Sequence, residues 1–418
     1  MHKMITSFLM ILTLSLSSMA DEGKKEQKKE EKKKHYTILH TKTLLAVPGE
    51  DPVQDQSIII HKGKIVDVVS GAVTTVNEDK ATVKIINLGD NFVMPGLIDV
   101  HVHISGRKGD KVAKALDAAA NAKKTIAAGF TTIREIGLRD WSTLKVFEKI
   151  KKGHLDGPRI IYAGKIIGVG PNGCNGVESC RKMTRENIQK GAKWIKIYSS
   201  CSGFYTCSEE DYPTVFFDDE IKAIVETAKK YRIPVAAHSH PTASAHYVLD
   251  RGVKSIEHGT FLDEKAMRRM KKEKVFYVPT VAVQDFLEKS KKKKTFDKEK
   301  QTHIDKMMGE AINSRIEKAH AMGVLIATGS DAGVVPNGKN YREIERLSEI
   351  DGISNAEALQ MATVNGAALL GKSKSLGTIE KDKLADIIVI DGNPLNTIKD
   401  IRNVKFVMIN GKVLINNL

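Results

Sequence analysis

The sequence predicts an α/β protein, a (β/α)8 barrel of the TIM type with a small β-sandwich domain built from both ends of the chain. The first observation is that eight apolar, strand-like runs alternate with helical stretches across residues 95–376. The second is that short strand-like runs fill residues 36–94 and return at 377–418, where Asn410 and Gly411 form a typical hairpin turn. We therefore expect a barrel flanked by one small domain made of two chain segments.

The eight strand candidates follow one another at intervals that leave room for a helix. They are residues 97–103, 131–136, 159–167, 194–199, 234–238, 255–258, 275–279 and 324–328. Helical stretches such as 111–128, 219–231 and 303–321 separate them. In barrels of this kind the chemistry takes place at the C-terminal ends of the strands, so polar residues at those ends are the candidates for a site.

The first 35 residues are not expected to belong to the folded domains. Residues 1–20 combine a short basic start, an apolar run and small residues before Ala20, which predicts a cleaved signal peptide and a periplasmic or secreted protein. Residues 21–35 are almost entirely Lys, Glu, Gln and Asp, a composition typical of a solvated, disordered tether. No later run of the sequence is long and apolar enough to predict a transmembrane span.

The charge of the chain is strongly positive, with 66 basic against 51 acidic residues and a net charge of +15. The basic residues are not interleaved with aromatic residues that could stack on bases, so the charge indicates solvated helix faces rather than nucleic-acid binding. We therefore expect a small-molecule or dipeptide partner and no nucleic acid. The oligomeric state stays open, with a homo-oligomer among the alternatives.

The four cysteines, Cys174, Cys180, Cys201 and Cys207, form two pairs of equal spacing. An even number in an exported chain predicts disulfide bonds, and the sequence allows three connectivities. Each pair follows a predicted barrel strand, so we expect the bridges to stiffen loops near the site. The sequence lacks the Cys-x-x-Cys spacing of a zinc site, which argues against metal binding by these thiolates.

Histidines at strand ends are the strongest indication of function. His101 and His103 end the first predicted strand, and because alternate residues of a strand share a face, both imidazoles point the same way. The other candidates also lie in or directly after predicted strands, and they are Lys196, His238, His258 and Asp331. Imidazoles and a carboxylate in this arrangement fit two divalent ions, with zinc the metal we expect.

Lys196 is the exception in this set, because its ammonium would be repelled by two neighbouring dications. The side chain must therefore be neutral, displaced from the ions or chemically changed. A lysine near a strand end is more often a surface or substrate-contacting residue, so the residues alone do not choose among these alternatives.

Several motifs resemble those of the amidohydrolase superfamily. In the barrel region they are PGLIDVHVH at 95–103, WIKI at 194–197, SIEHGT at 255–260 and GSDAG at 329–333. In the C-terminal segment they are GTI at 377–379, LADI at 384–387 and DGNPL at 391–395. The similarity extends from about residue 36 to the C-terminus, and it is closest to the imidazolonepropionase-like branch that contains metal-dependent Xaa-Pro dipeptidases.

The resemblance implies a binuclear site and a role for each candidate. His101, His103 and Asp331 would hold the more buried ion, and His238 and His258 the more exposed one. Lys196 would bridge both ions as an N-carboxylated lysine, which turns the problematic cation into an anion. The implied reaction is hydrolysis by a hydroxide shared between the ions, with Asp331 as general base and then general acid.

The substrate is less clearly indicated than the metal site. Tyr198 and His240 lie near the ligands and are the candidate substrate contacts, although the spacing alone would allow His238 and His240 to exchange roles. Relatives often carry Gly-Gly-His and Pro-His-Gly in pocket loops, where this chain has PNGC at 171–174 and PNG at 336–338. These departures leave hydrolysis supported and dipeptide specificity open.

The expected reaction is cleavage of a C–N bond by a secreted, metal-dependent amidohydrolase. Xaa-Pro dipeptides, dipeptides with a basic C-terminal residue and N-acyl amino acids are the substrates considered. A lactonase, esterase or phosphotriesterase could use the same metal site. A non-catalytic metal- or surface-binding protein is a third reading, disfavoured because the sequence retains the whole implied ligand set.

Overall fold

The computed structural model describes residues 34–292, 298 and 310–418, apart from positions 79, 107–108, 139, 172 and 202–213. The predicted signal peptide, nearly all of the predicted tether and Cys207 lie outside the described residues. Among the described helices, none combines the length and the hydropathy that crossing a bilayer requires.

Both ends of the described chain contribute strands to one eight-stranded sheet. The strands are β1 (His35–Leu44), β2 (Val53–His61), β3 (Lys64–Ser70), β4 (Thr82–Asn87), β5 (Phe92–Pro95), β13 (Ile387–Ile390), β14 (Val404–Ile409) and β15 (Lys412–Asn416). Their order is β15-β14-β13-β5-β1-β2-β3, with β4 beside β1. Its buried face includes Leu39, Ile58 and Phe406, which come from both chain segments.

This sheet differs from the β-sandwich that the sequence predicted. The C-terminal strands do lie with the N-terminal ones, but β13 pairs antiparallel with β5 and so extends the same sheet instead of forming a second layer. The sandwich is therefore not confirmed in the described residues. Strand β1 also begins at His35, inside the predicted tether of residues 21–35.

Seven parallel strands form two further sheets. The first contains β6 (Leu97–Val102), β7 (Phe130–Glu135) and β8 (Arg159–Tyr162) in that order. The second contains β9 (Ile195–Tyr198), β10 (Val235–Ser239), β11 (Ser255–His258) and β12 (Phe276–Val278). All neighbours within these two sheets run parallel, as expected when helices connect successive strands.

The eighth predicted strand, residues 324–328, is not a regular strand. Ile326 forms an isolated β-bridge with Tyr277. Two further backbone groups of this segment hydrogen-bond to residues of the π-helix instead of a strand. Thr328 N–H donates to Met361 O at 3.2 Å, and the Asn365 amide donates to Ile326 O at 2.7 Å. The described residues therefore have an α/β fold consistent with the TIM-barrel type, but not one closed eight-stranded sheet.

Single hydrogen bonds and bridges join the edges of the two parallel sheets. Ile167, which the sequence placed at the end of the third strand, bridges to Ile197 of β9. Val100 N–H of β6 donates to Thr328 O at 2.9 Å. These contacts bring the C-terminal ends of β6 and β9 to β12 to the same side of the molecule.

The helices connect the parallel strands and cover them. They are α1 (Lys111–Ala127), α2 (Leu144–Lys151), α3 (Val177–Gln189), α4 (Asp218–Lys230), α5 (Thr242–Asp250), α6 (Glu264–Glu273), α7 (Val283–Lys292), α8 (Glu310–Ala321), α9 (Tyr341–Ser348), α10 (Asn355–Gln360) and α11 (Gly366–Leu369). A π-helix spans Met361–Asn365 and a 3₁₀ helix spans Ile398–Arg402. Residues 303–309, the start of one predicted helix, lie outside the described residues.

Helix α1 illustrates how the sequence specifies these elements. The Asp110 side chain accepts a hydrogen bond from Ala113 N–H at 2.8 Å and so satisfies one of the free donors of the first turn. Ala118, Ala122 and Ile126 recur at intervals of four residues and are buried in the core. The cap and the apolar stripe together fix where α1 begins and which face it buries.

Candidate metal centre

Two clusters of potential metal ligands lie at the C-terminal side of the parallel strands. The first contains His101, His103 and Asp331, and each residue has a ligand atom within 4.8 Å of those of the others. His101 Nε2 and His103 Nε2 lie 3.7 and 3.5 Å from Asp331 Oδ1. The structure therefore brings together three residues that the sequence placed at the first and last strand ends.

Backbone pairing places Asp331 beside the two histidines. Asp331 N–H donates to His101 O at 2.8 Å, and His103 N–H donates to Ala332 O at 2.6 Å. Gly329 lies just behind this pairing, where an added Cβ would come within 2.7 Å of His101 Cβ. Only a residue without a side chain allows the two segments to approach so closely.

The second cluster contains His238, His240 and His258, all of them buried. The His238 ring lies 4.6 Å from each of the other two ring centroids, and the His240 and His258 rings are stacked at 4.9 Å. The two clusters are adjacent, because the His101 and His258 ring centroids lie 5.1 Å apart. The predicted ligands thus form one continuous constellation.

Hydrogen bonds define which nitrogen of each first-cluster histidine has a lone pair. His101 Nδ1 donates to Glu257 Oε2 at 2.8 Å, and His103 Nδ1 donates to Gly137 O at 3.4 Å. Because these partners accept, the protons lie on Nδ1 and the lone pairs on Nε2. Both Nε2 atoms face Asp331, which also offers only acceptor atoms when ionised.

The second cluster has the same kind of arrangement. His238 Nε2 donates to Cys201 O at 2.9 Å, which leaves the lone pair on Nδ1. That Nδ1 is buried and has no hydrogen-bond partner within the described part of the chain. Thr280 Oγ1 donates to Pro279 O and accepts from His258 Nδ1 at 2.9 Å, so the lone pair of His258 lies on Nε2.

Burial favours the uncharged form of four of these imidazoles. Burial and the charge of Lys196 lower the pKa of His101 to about 4, and the same two causes lower the pKa of His240 to about 3. Burial also holds the pKa values of His238 and His258 well below the usual range. Neutral imidazoles and a carboxylate that point lone pairs at one another repel, unless a cation lies between them. The donor set therefore fits metal ions.

Lys196 is fully buried in β9, and its Nζ has no hydrogen-bond partner in the described residues. Burial lowers the pKa of Lys196 to about 8, with Glu257 opposing the decrease and Arg134 adding to it. A lysine with a lowered pKa exists partly as the neutral, nucleophilic amine at neutral pH. The lowered pKa therefore favours a neutral Lys196 side chain, one of the three alternatives that the sequence left open.

A cavity of about 660 Å³ opens onto the constellation. Five predicted ligands line it together with Lys196 and Tyr198, and the Tyr198 ring stacks on His238 at 4.1 Å. His240 is buried and is not among the described residues that line the cavity. His240 lies with His238 and His258, and its predicted contact with the substrate stays a prediction.

Two buried charged residues behind the first cluster were not recognised as functional from the sequence. Arg134 Nη2 donates to Glu257 Oε1 at 2.8 Å, and Glu257 in turn accepts from His101. Burial would raise the pKa of Glu257, but Arg134 and the bond from His101 outweigh it and hold that pKa below its usual range. A signal in the sequence was the position of Glu257, one residue before the predicted ligand His258.

Three residues other than glycine have an unusual backbone conformation near the two ligand clusters. His258, Thr280 and Asp331 have φ values of 69°, 54° and 51°, in the left-handed region that L-residues seldom occupy. Such conformations cluster at functional sites, where the surrounding structure holds them in place. Here two of the three residues carry predicted ligand atoms, and the third orients His258.

Of the three described cysteines, Cys174 and Cys201 lie in loops that follow β8 and β9, and Cys180 lies in α3. Cys174 is bonded to Cys180, which joins the loop after β8 to the first turn of α3. Cys201, three residues after the end of β9, is also disulfide-bonded, and its partner lies outside the described residues. The structure thus selects the pairing of the first two cysteines that the sequence left open.

Parallel strands with helical connections and two clusters of lone pairs at the strand ends are typical of metal-dependent hydrolases. The amidohydrolase family matches residues 92–414 of the chain. The chain belongs to this family, which confirms the resemblance in its motifs and makes it a hydrolase of carbon–nitrogen bonds.

Individual relatives agree with this assignment. The crystal structure of an Xaa-Pro dipeptidase with methionine bound in its active site is 31% identical, superposes with a TM-score of 0.82, and aligns over 91% of this chain and 100% of that one. A prolidase structure complexed with N-methylphosphonate-L-proline is 26% identical with a TM-score of 0.80, and it aligns over 91% of this chain and 100% of that chain. The ochratoxinase of Aspergillus niger is 26% identical over 400 residues, which cover 85% of this chain and 81% of that enzyme.

Proposed function

We propose that this protein is a binuclear metallohydrolase that cleaves the amide bond of dipeptides or N-acyl amino acids. The observation that carries the proposal is the set of fixed tautomers: His101, His103, His238 and His258 each present a lone pair to one constellation. A cation satisfies such a set of converging acceptors. Zinc is the proposed metal because imidazole is its preferred ligand among these groups.

The two clusters supply the ligands for the two ions. His101, His103 and Asp331 would hold the first ion, and His238 and His258 the second. Lys196, as the carbamate, would contribute an oxygen to each. The support for this last role is that its amine is buried, has a lowered pKa and has no hydrogen-bond partner among the described residues.

When bound, the two ions lower the pKa of a water molecule and polarise the scissile carbonyl. The chain's own residues do the remaining work. The Asp331 carboxylate takes a proton from the attacking water and passes it to the leaving nitrogen, so that the C–N bond breaks and an amine leaves. Glu257 holds the His101 ring in the tautomer that the site needs, and Tyr198 contacts the substrate from the cavity wall.

The substrate class is supported by the cavity and the relatives. A cavity of about 660 Å³ is within the range that accommodates a small ligand. The Xaa-Pro dipeptidase has an amino acid bound in its active site, and the prolidase has an analogue that contains proline. We therefore propose that the substrates of the present chain are dipeptides or N-acyl amino acids whose hydrolysis releases an amino acid.

The decisive experiment combines elemental analysis with a substrate panel on the purified protein. We expect about two divalent ions per chain, as a two-metal site requires, and fewer after His101→Ala. His246→Ala, which removes an imidazole paired with Asp263 outside both clusters, is the matched control and should retain them. The panel contains L-methionyl-L-proline, L-alanyl-L-arginine, N-acetyl-L-methionine, the amide-free lactone γ-nonalactone and paraoxon. If only the last two compounds are hydrolysed, the protein is a lactonase or phosphotriesterase and the proposed amidase activity is wrong. If the purified protein binds no metal even after zinc is added, the proposed metallohydrolase function is wrong.

We also propose that the protein is exported. The disulfide between Cys174 and Cys180 supports this, because such bonds persist in oxidising compartments. Cell fractionation together with the mass of the mature chain tests the proposal. Recovery of a chain that still contains residues 1–20 from the cytoplasm would contradict it.

A further inference from the structure

One charged residue in the cavity has no part in the ligand set. Lys165 lies on the loop between β8 and α3 and lines the cavity with the metal-ligand candidates. Its backbone is fixed by one buried side chain, since Lys165 N–H donates to Asn187 Oδ1 at 3.1 Å and Lys165 O accepts from Asn187 Nδ2 at 2.8 Å. The point from which this lysine side chain extends is therefore well defined.

The wall that carries Lys165 adjoins the first cluster. Leu138 forms a β-bridge with Lys165, and the preceding Gly137 accepts the hydrogen bond from His103 Nδ1. A Cβ on Gly137 would lie 2.4 Å from Ile166 Cγ1 and 3.2 Å from His103 Cε1. Lys165 is thus one residue away from the packing contact that supports His103.

The Lys165 ammonium contacts an aromatic ring but forms no ion pair within the described residues. Its ammonium lies 5.4 Å from the centre of the Trp141 ring, whose indole N–H donates to Glu186 at 2.9 Å. Within the described part of the chain, no carboxylate forms an ion pair with Lys165. Apart from Asp331 and Lys196, it is the one charged side chain among the described residues that line this cavity.

A lysine that lines a cavity of this size and has no ion-pair partner among the described residues is suited to binding an anionic group of the ligand. We propose that Lys165 binds the free carboxylate of the amino acid that the reaction releases. This inference rests on the proposed function and narrows it: the enzyme selects substrates that end in a free α-carboxylate and discriminates against neutral amides of the same shape.

The test compares substrates that differ only in the carboxylate. Each acid of the panel is paired with its decarboxylated analogue: methionyl-pyrrolidine, alanyl-agmatine and N-(3-methylsulfanylpropyl)acetamide. Steady-state kinetics are measured for the wild-type enzyme, Lys165→Met, which removes the charge, and Lys165→Arg, which retains it. Lys152→Met, at the exposed end of α2, is the control for loss of a lysine elsewhere.

We expect Lys165→Met to lower kcat/KM for the acids by about 10- to 100-fold, mainly through KM, as for loss of one charge-assisted hydrogen bond. For the decarboxylated analogues the change should stay within about twofold, as for a substitution that removes no contact. Lys165→Arg should restore most of the preference for the acids, and Lys152→Met should match the wild type. Binding of L-methionine, measured by calorimetry, should weaken in parallel in Lys165→Met.

The outcomes separate this inference from the proposed function. If the wild type hydrolyses acids and analogues equally well, or if Lys165→Met keeps the preference, the role of Lys165 is wrong and the amidase stands. If the metal-loaded wild type hydrolyses none of these amides, the proposed function fails and the inference fails with it.

Discussion

The two ligand clusters differ in what lies behind them. The first cluster is backed by charge, because Glu257 connects His101 to the buried guanidinium of Arg134. The second cluster is backed by neutral groups, since His258 donates to the Thr280 hydroxyl and His238 to the carbonyl of Cys201. A charged hydrogen-bond partner strengthens an imidazole as a ligand more than a neutral partner does.

This difference indicates unequal sites. The first cluster contains its own carboxylate, Asp331, whereas the second consists of imidazoles only. We therefore expect the first cluster to bind its ion more tightly and the second to depend on the anion that Lys196 would provide. The predictions below test this inequality, beginning with the substitution that should have the largest effect.

Replacing Asp331 removes the one carboxylate of the constellation. Asp331→Asn retains the shape of the side chain but can neither accept the proton of the attacking water nor balance the charge of an ion. We expect kcat to fall by about 10²- to 10⁴-fold, the usual contribution of a general base, with an unchanged circular dichroism spectrum. An Asp331→Asn enzyme that retains wild-type kcat at saturating metal would eliminate the proposed proton transfer.

Replacing Lys196 tests the dependence of the second cluster. Lys196→Ala should lose metal and activity together, with the ion of the second cluster lost first on dialysis. Short carboxylic acids such as acetate should restore part of the activity by occupying the space of the missing carbamate. Elemental analysis and activity with and without acetate measure both effects. Metal content equal to that of the wild type would contradict a bridging role.

The residues that form both clusters could be predicted from the sequence because strand periodicity is local information. His101 and His103 share a face by alternation, and His240 follows His238 in the same way once β10 continues to Ser239. The sequence prediction ended that strand at residue 238, so whether His238 and His240 share a face stayed open, and His240 was given as a candidate substrate contact that could also exchange roles with His238.

What could not be predicted depends on contacts between distant segments. The pair of Arg134 and Glu257 joins residues 123 positions apart, and no local pattern indicates that two buried charges will meet. The missing eighth strand has a similar cause, because residues 324–328 bond partly to the π-helix at Met361–Asn365 instead of to a neighbouring strand. The single sheet of the small domain likewise follows from the pairing of β5 with β13.

The two backing networks can be compared directly by removing one hydrogen-bond partner from each. Glu257→Gln should weaken zinc binding at the first cluster by about 10- to 100-fold, the usual effect of losing an outer-shell partner. It should also destabilise the fold by about 3–5 kcal/mol, because the Arg134 charge stays buried without its anion. Thr280→Ala should weaken zinc binding less, by about tenfold, with a smaller loss of stability of about 1–3 kcal/mol, because His258 Nδ1–H stays buried without its acceptor.

Controls for this comparison are available within the chain. Thr280→Ser keeps the hydroxyl that accepts from His258 and should bind zinc as the wild type does. Glu264→Gln, on the first turn of α6, removes an acid outside both networks. Zinc titrations and chemical unfolding give the two quantities. Equal effects of Glu257→Gln and Thr280→Ala would show that the charged backing confers no advantage.

The last prediction concerns the turn that contains Thr280. Glu343 is buried and accepts hydrogen bonds from Val281 N–H at 3.0 Å and Ala282 N–H at 2.7 Å, so it holds this turn in place. Burial raises the pKa of Glu343 to about 8, although both hydrogen bonds oppose the increase. The folded state therefore retains a proton that the unfolded chain releases above its ordinary pKa of 4.5.

The free energy of unfolding should consequently decrease as the pH rises from about 5 to 8. Glu343 alone should account for a decrease of up to about 1.4 kcal/mol per pH unit. Glu343→Gln does not titrate, so its free energy of unfolding should decrease less over the same interval at saturating metal. Urea unfolding of both proteins at pH 5, 6.5 and 8 measures the difference in slope. Parallel slopes would mean that Glu343 is ionised throughout, and the turn behind the second cluster would then be held by a charge, as the first cluster is.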